Sequence, residues 1–285
     1  MSAIKIGVST GIPPAPPAHK VDPAVFARHA ERLGFESMWV GEHAIAPVHV
    51  ESKSPVFPGG QVPGFLDPLV ALSMASAVTT KLMLGTSILL IPERHPLALA
   101  KGAATLDLYS GGRFLLGIGV GWLKEERVML GGDADRPWAQ SREAVRILKD
   151  LWTKDQVEFH GEFYDFPAVQ CFPKPAQKPH VPVLVGGLSR FVLKRVVDYG
   201  DGWLPHRITP ETLKTQCAEL RQLARAAGRD PDRISVTVTT GDASRDVVKR
   251  YEDAGATRVV VNVPISTTEK ETAEGLERVA SAVLR

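Results

Sequence analysis

The sequence is poor in cysteine and lacks the histidine spacings that bind metals. Cys171 and Cys217 are the only two cysteines among 285 residues, and they lie far apart with no CxxC pair. None of the eight histidines forms an HxH pair of the kind found in barrel metallohydrolases. We therefore expect two reduced, packed thiols, no disulfide framework and no bound metal.

The sequence also has no long apolar run and little excess charge. No stretch approaches the roughly 18 apolar residues of a membrane span, and the start MSAIKIGVST has no apolar segment of signal-peptide length. The formal net charge is +2, with Lys and Arg spread along the chain, which is too little for a nucleic-acid or membrane binder. These absences favour a cytoplasmic protein whose partner is a small molecule.

The sequence does contain a regular alternation of apolar, β-branched runs with amphipathic stretches of helix length. Such alternation predicts βα units and a parallel sheet, and eight such units close a barrel. A length of about 250 residues or more is ordinary for one barrel domain. We therefore predict an α/β fold, a (β/α)8 TIM barrel, as a single domain over residues 1–285. The predicted strands are Ile4–Ser9, Ser37–Gly41, Leu82–Leu90, Arg113–Gly119, Pro182–Gly186, Gly202–Pro205, Ile234–Thr239 and Arg258–Val261.

Two segments interrupt this alternation and are predicted to be loop insertions. The first, at about residues 47–66, contains four prolines and follows the second strand. It is either a lid over a site or a surface loop without a role in chemistry, since long loops are usually functional or disordered. In the second, at about residues 153–180, the segment Val157–Tyr164 predicts a small hairpin that turns at Gly161.

Two glycine motifs match known fingerprints but not the structural context that those fingerprints need. Gly7–Gly11 has the GxSxG pattern, yet a proline-rich stretch follows it where a nucleophile elbow requires a helix. Gly117–Gly121 is GxGxG, lies at the fourth strand and has no suitably placed acidic residue after it. We therefore expect neither a serine hydrolase nor a Rossmann site.

Polar residues follow the second predicted strand at the end where a barrel places its site. Glu42 and His43 provide an acid and an imidazole, a pairing suited to general acid–base catalysis near neutral pH. Alternatively, His43 caps a loop and has no chemical role. The residues alone leave both interpretations open.

Several of these motifs together resemble the luciferase-like flavin and deazaflavin oxidoreductases. The resemblance covers most of the chain and implies a luciferase-like barrel. The residues that carry it are Ala30–His43, Gly85-Thr86, Arg94-His95-Pro96, Asp107–Arg113, Gly117–Gly121, Pro182–Gly187 and Asp201–Trp203.

This resemblance implies two places where the cofactor binds. Ser87-Ile88 lies where deazaflavin members have a non-prolyl cis peptide that braces the cofactor ring, the alternative being an ordinary trans strand. The run Gly186, Gly187, Leu188, Ser189 and Arg190 would hold a phosphate, because glycines let the backbone approach an anion and the next helix presents free N–H groups. A tight turn without a ligand is the alternative for this run.

The resemblance also assigns the end of the fourth strand, Gly119, Gly121 and Trp122, to the cofactor. Some sugar-phosphate-oxidising relatives have a carboxylate where this chain has Trp122. An indole does not exchange a proton at neutral pH, so we expect Trp122 to stack against the ring or the substrate, and we do not expect a sugar-phosphate substrate. Glu42 and His43 fall where relatives hold the ring edge and carry the proton-transfer residue.

We therefore predict an F420-dependent oxidoreductase that moves a hydride between the deazaflavin and an unidentified small organic substrate. His43 would donate or accept the proton, and Glu42 would orient His43 or the ring. Arg190 and Arg207 would meet the phosphate and acidic tail of F420. The alternatives are an FMN-dependent two-component monooxygenase and a non-catalytic flavin-binding barrel. The resemblance also suggests a homodimer.

Overall fold

Strands and helices alternate along the part of the chain that the structure, a computed structural model, describes: residues 4–9, 22–51, 64–264 and 266–284. The strands are β1 (Lys5–Ser9), β2 (Ser37–Val40), β3 (Met83–Thr86), β4 (Leu89–Leu90), β5 (Phe114–Gly119), β6 (Val157–His160), β7 (Asp165–Val169), β8 (Val183–Gly186), β9 (Gly202–Leu204), β10 (Ser235–Thr240) and β11 (Arg258–Asn262). The α-helices are α1 (Pro23–Leu33), α2 (Pro68–Ala77), α3 (Pro96–Tyr109), α4 (Lys124–Met129), α5 (Pro137–Thr153), α6 (Val192–Tyr199), α7 (Pro210–Ala226), α8 (Arg245–Asp253) and α9 (Glu269–Val283). Short 3-10 turns lie at Ile91–Glu93 and Pro231–Arg233.

The parallel strands close into a barrel. They follow the order β3-β2-β1-β11-β10-β9-β8-β5-β4, and β3 also pairs with β5, which joins the two edges. β3 and β4 share one barrel position, because Leu84 pairs with Phe114 and Leu89 pairs with Ile118 on the same strand, β5. The predicted (β/α)8 barrel is confirmed, with each of the eight predicted strands found within one residue at its ends and the third interrupted at Ser87-Ile88.

Helix starts follow the local signals in the sequence. The Asp22 carboxylate accepts a hydrogen bond from Ala24 N, Pro23 is the first helical residue of α1, and Gly34 ends the helix with φ +93°. Asp67 and Thr209 cap α2 and α7 in the same way, each followed by proline. These residues therefore have capping roles. Among the described residues, no helix has the length and apolar character needed to cross a membrane.

The two predicted insertions have different outcomes. In the second, β6 and β7 pair antiparallel as the expected hairpin. Gly161 lies at its turn, where an added Cβ would come 2.4 Å from the Phe159 ring. Most of the first insertion, residues 52–63, lies outside the described residues, as does the proline-rich stretch after β1. The lid interpretation of residues 47–66 therefore stays a prediction.

Side chains fill the barrel interior and leave ligand space at the strand ends. Trp39 on β2 is fully buried inside the barrel with Leu115, Leu184, Leu204 and Val260, while its neighbours in sequence pack outward against the helices. Gly85 on the adjacent strand makes room for the indole, since an added Cβ there would lie 2.3 Å from the Trp39 ring. A packed interior restricts a site to the barrel mouth.

Candidate active site

The carboxyl ends of the parallel strands bring the predicted site residues to one mouth of the barrel. Glu42 and His43 follow β2, Ser87 follows β3, Trp122 follows β5, and Gly186 ends β8. Parallel register keeps these ends level: Val40 pairs with Thr86, Ile118 with Val185, and Gly186 with Leu204. The placement agrees with the expected location of a barrel site.

His43 lies in a largely buried pocket between a carboxylate and two aromatic rings. Its side chain is 7% exposed, and its Nδ1 is 2.5 Å from Glu126 Oε2. Trp122 Nε1 donates a hydrogen bond to His43 Nε2 at 3.2 Å. The Phe65 and Trp122 rings lie 5.1 and 5.8 Å from the imidazole, measured between ring centroids. We refer to His43 and Glu126 below as the His43–Glu126 pair.

These contacts select one tautomer of the imidazole. An indole N–H can only donate, so His43 Nε2 must accept with its lone pair. The ring proton is then on Nδ1, which donates to the Glu126 carboxylate. A carboxylate behind Nδ1 holds the ring orientation and stabilises positive charge when Nε2 takes a proton. The arrangement suits proton transfer at Nε2.

Glu126 was not predicted from the sequence. Its side chain is fully buried, and besides His43 it accepts hydrogen bonds from Ala44 N at 2.6 Å and Ile45 N at 3.1 Å. Glu126 lies in the first turn of α4, where the helix dipole favours negative charge. One sequence signal could have identified Glu126: it is an acidic residue at the start of a short helix that follows the glycine motif at the end of β5. Glu126 lies four residues after Trp122. A carboxylate therefore does reach His43, although this chain has an indole where some relatives have the carboxylate.

Glu42 makes no hydrogen bond to His43, so the structure contradicts the expectation that it orients the imidazole, whereas the alternative that Glu42 orients the cofactor ring stays a prediction. Glu42 Oε2 accepts a hydrogen bond from Leu90 N at 2.6 Å, and Oε1 accepts one from Arg94 Nε at 2.9 Å. Arg94 also donates to Asp67 Oδ2 at 2.6 Å. Glu42 and His43 are adjacent in sequence, yet their side chains reach different partners. Burial raises the pKa of Glu42 against the opposing effects of Arg94 and the Leu90 N–H.

The Ser87–Ile88 peptide bond is cis, as the resemblance implied. The Ile88 side chain extends between two predicted site glycines: an added Cβ would lie 1.9 Å from Ile88 Cδ1 at Gly119 and 3.0 Å from Ile88 Cγ2 at Gly186. At Gly117 it would lie 2.0 Å from the Thr86 carbonyl oxygen. The glycines of β5 and β8 thus let the strands pack closely around this turn. Contact between Ser87-Ile88 and a cofactor stays a prediction.

Gly121 has a backbone that favours glycine and lies beside a second buried acid. Its φ is +68°, and an added Cβ would lie 3.1 Å from Leu90 Cδ2 and 3.8 Å from Glu93 Oε1. Among the described residues, neither carboxyl oxygen of Glu93 has a hydrogen-bond partner, although both are buried. No sequence pattern pointed to Glu93.

The predicted phosphate loop is exposed and lies at a helix without a side-chain cap. Gly187 has φ +115° with no atom within 4 Å of an added Cβ, and α6 has no side-chain hydrogen bond at its start. Arg190 stacks on the Phe191 ring at 4.6 Å. Arg195, which was not predicted, donates to Ser189 Oγ at 3.0 Å. Two cations and open backbone at a helix start are suited to an anion.

A cavity of about 460 Å³ opens at the carboxyl ends of β9, β10 and β11. Arg207 lines it with φ +54°, and His206 Nδ1 lies 2.5 Å from Thr239 Oγ1. Burial lowers the pKa of His206, and the nearby Arg207 charge adds to that effect. The cavity therefore offers a cation and a neutral imidazole on the same face of the barrel as His43. Across the described residues, no group of three His, Cys, Asp or Glu side chains could hold a metal.

Comparison with known proteins identifies relatives over nearly the whole chain. A family model described as luciferase-like monooxygenase matches residues 9–274. A protein of Mycobacterium tuberculosis, itself uncharacterised, is 34% identical over 271 residues, which cover 92% of this chain and 93% of that protein.

Relatives with a named activity use two different cofactors. The F420-dependent glucose-6-phosphate dehydrogenase of Kineococcus radiotolerans is 33% identical over 220 residues, covering 75% of this chain and 61% of that enzyme. The FMNH2-dependent dimethylsulfone monooxygenase of Pseudomonas putida is 36% identical over 155 residues, covering 53% of this chain and 42% of that enzyme.

Solved structures share the fold at low sequence identity. The monooxygenase RslO1 from Streptomyces bottropensis superposes with a TM-score of 0.78 at 22% identity, covering 99% of both chains. The coenzyme F420-dependent tetrahydromethanopterin reductase from Methanopyrus kandleri gives a TM-score of 0.76 at 19% identity, covering 99% of this chain and 98% of that one. Both likenesses concern the barrel fold alone.

Proposed function

The chain belongs to the luciferase-like monooxygenase family, and we propose that it is an oxidoreductase that uses the deazaflavin F420 to transfer a hydride to or from a small organic substrate. The family includes F420-dependent and flavin-dependent enzymes. The substrate carries a hydroxyl that gives up its proton to His43 when it is oxidised, or a carbonyl whose oxygen takes a proton from His43 when it is reduced. No nucleic-acid or membrane partner is part of this proposal.

The His43–Glu126 pair is the observation that carries the proposal. The tautomer set by Trp122 leaves the Nε2 lone pair as a base, and the buried Glu126 carboxylate, 2.5 Å from Nδ1, stabilises the imidazolium that forms there. In the opposite direction the imidazolium donates the proton from Nε2. A substrate oxygen that reaches Nε2 takes the place of the Trp122 N–H. Phe65 and Trp122 flank the ring and reduce the access of water.

The cofactor, when bound, supplies the hydride or accepts it, while the protein contributes position and the proton. The residues present fit such a group. The open backbone at Gly187, the uncapped start of α6 and Arg190 suit a phosphate. Ile88, between Gly119 and Gly186, would support the ring from behind.

F420 is proposed ahead of FMN because its acidic tail needs cations beyond a single phosphate site. Arg207 lines a cavity on the same face of the barrel and could meet that tail or an acidic substrate. The F420-dependent relative from Kineococcus radiotolerans also aligns with more of this chain than the FMNH2-dependent relative does.

The test is a parallel calorimetric titration of the purified protein with F420 and with FMN. Binding of F420 at micromolar affinity or tighter, with no heat from FMN, supports the proposal. Arg190→Ala should then weaken F420 binding by about 1.5–3 kcal/mol, the value of a charge-assisted hydrogen bond, with little effect on folding. Arg225→Ala, an exposed cation on α7, is the matched control.

The second candidate is an FMN-dependent two-component monooxygenase, which the relative from Pseudomonas putida favours. It predicts the reverse ranking in the titration, together with oxygen consumption when a flavin reductase supplies FMNH2. If both cofactors bind but neither is consumed across a broad panel of acceptors, the protein is a non-catalytic flavin-binding barrel.

A further inference from the structure

Trp122 occupies the nitrogen of His43 that the proposed reaction needs. Its indole Nε1–H donates a hydrogen bond to His43 Nε2 at 3.2 Å, and the two rings meet edge-on with an interplanar angle of 67°. An indole N–H can only donate, so Nε2 has no proton to give while this hydrogen bond is in place. Its lone pair is engaged as well and is not available to take a proton. In this arrangement the acid–base residue is blocked.

The other sides of the imidazole are held by groups that are less free to move. The His43 side chain is only 7% exposed, and its Nδ1 lies 2.5 Å from Glu126 Oε2. The Glu126 side chain is fully buried and also accepts from two backbone N–H groups. The Phe65 ring lies 5.1 Å from the imidazole between centroids. A ligand that reaches Nε2 must therefore displace the group already bonded to that atom, which is the indole.

Trp122 lies where its side chain can turn. It belongs to the irregular segment between the end of β5 at Gly119 and the start of α4 at Lys124, so the side chain can rotate without unwinding a helix or a strand. The residue is partly exposed, which leaves room on its solvent side. A neutral hydrogen bond contributes only about a two- to twelvefold factor to an equilibrium, so an incoming ligand can displace it.

We propose that Trp122 is a gate residue: its indole N–H blocks His43 Nε2 in the ligand-free protein and turns away when a substrate enters, so that proton transfer is coupled to occupancy of the site. The inference rests on the proposed function, because it takes His43 as the proton-transfer residue. In the ligand-free state the gate keeps His43 from exchanging a proton with water or small solutes. A substrate hydroxyl that donates to Nε2 replaces one donor by another, so the lone pair stays hydrogen-bonded throughout the exchange.

The test measures how readily His43 reacts in the full chain without cofactor or substrate. Diethylpyrocarbonate acylates a neutral imidazole at the nitrogen whose lone pair is free, and mass spectrometry of the peptide that contains residue 43 gives the rate. Trp122→Phe keeps an aromatic ring and removes the N–H donor, so we expect His43 to be acylated about fivefold faster or more. His160, whose side chain is 67% exposed, should react equally in both proteins and calibrates the reagent. Trp138→Phe makes the same change at another partly exposed tryptophan and should leave the His43 rate unchanged.

A second measurement reads the hydrogen bond itself, since the smaller phenyl ring also opens space. The ¹⁵N chemical shift of His43 Nε2 at pH 7 should be that of a nitrogen that accepts a hydrogen bond, and it should change in Trp122→Phe but not in Trp138→Phe. The proposal is overturned if either the shift or the acylation rate of His43 is the same in Trp122→Phe as in wild type. A wild-type Nε2 that carries the ring proton would also overturn it, whether or not the variant folds. Absence of F420 binding would refute the proposed function and leave both readings unaffected.

Discussion

Replacing Glu126 by glutamine tests whether its carboxylate sets the proton on His43. In the native site Oε1 accepts from Ala44 N and Ile45 N, and Oε2 accepts from His43 Nδ1–H. A glutamine has one acceptor oxygen and one NH2 group. If its oxygen keeps the two backbone N–H donors, its NH2 group faces Nδ1, which then must accept. The ring proton moves to Nε2, opposite the Trp122 N–H donor.

The expected effects follow from this change of tautomer. A base in the wrong tautomer loses most of its contribution, so turnover with the cofactor and substrate should fall by about 10²–10⁴. Loss of the charge-assisted hydrogen bonds should lower the free energy of unfolding by about 1.5–3 kcal/mol. Cofactor affinity should change little, because Glu126 bonds to His43 and to two backbone N–H groups, and none of these is among the groups proposed to hold the cofactor phosphate.

Three measurements check the reasoning: ¹⁵N NMR of the His43 ring for the tautomer, steady-state turnover, and denaturant unfolding. Glu219→Gln makes the same chemical change at an exposed position and should leave all three unchanged. If Glu126→Gln retained the Nδ1–H tautomer and turned over within about threefold of wild type, the assignment of the acid–base machinery would be wrong.

Three further predictions concern the same network. His43→Ala should leave cofactor affinity within a few fold and lower turnover by about 10²–10⁴ in steady-state assays; unchanged turnover would make it a structural residue. Glu93 is neutral in the folded protein up to a pKa of about 9 but ionises near 4.5 when unfolded, so its burial costs little free energy below pH 4.5 and destabilises the fold increasingly as the pH rises toward 9. Glu93→Gln should therefore raise the free energy of unfolding in urea at pH 8 by about 1–3 kcal/mol, allowing for partial solvent screening, and by much less at pH 4.5; equal gains at both would contradict the assigned burial. Arg94→Ala leaves the buried Glu42 carboxylate without its cation and should lower the free energy of unfolding, measured in urea, by about 3–5 kcal/mol. A decrease of less than about 1 kcal/mol would contradict this reasoning.

Much of the barrel and part of the site were predictable because their signals are local. The β-branched run at residues 258–261 predicts the strand there, and Asp22-Pro23 predicts the start of α1. The βα alternation also predicts that the carboxyl end of each strand faces the barrel mouth. This placed His43, directly after β2, at the mouth, where the structure has it. The resemblance added the cis bond at Ser87-Ile88, which no propensity indicates.

The partners of the site residues were not predictable, since they depend on packing between distant segments. Glu42 was expected to orient His43 or the ring, but its carboxylate binds Arg94 and the Leu90 N–H, and His43 is held by another residue. The carboxylate that does meet His43 comes from α4, 83 residues further along the chain.

The sequence by itself therefore determined the elements of this protein, their order and the barrel they close, because periodicity, capping residues and turn residues act over a few neighbours. Only the tertiary structure decided which charges pair and which do not. Glu42, Glu93 and Glu126 are the same residue type, yet one binds arginine, one has no described hydrogen-bond partner and one holds an imidazole. The physical reason is that burial and the distance between charges set the energy of a carboxyl group, and both quantities exist only once the chain has folded.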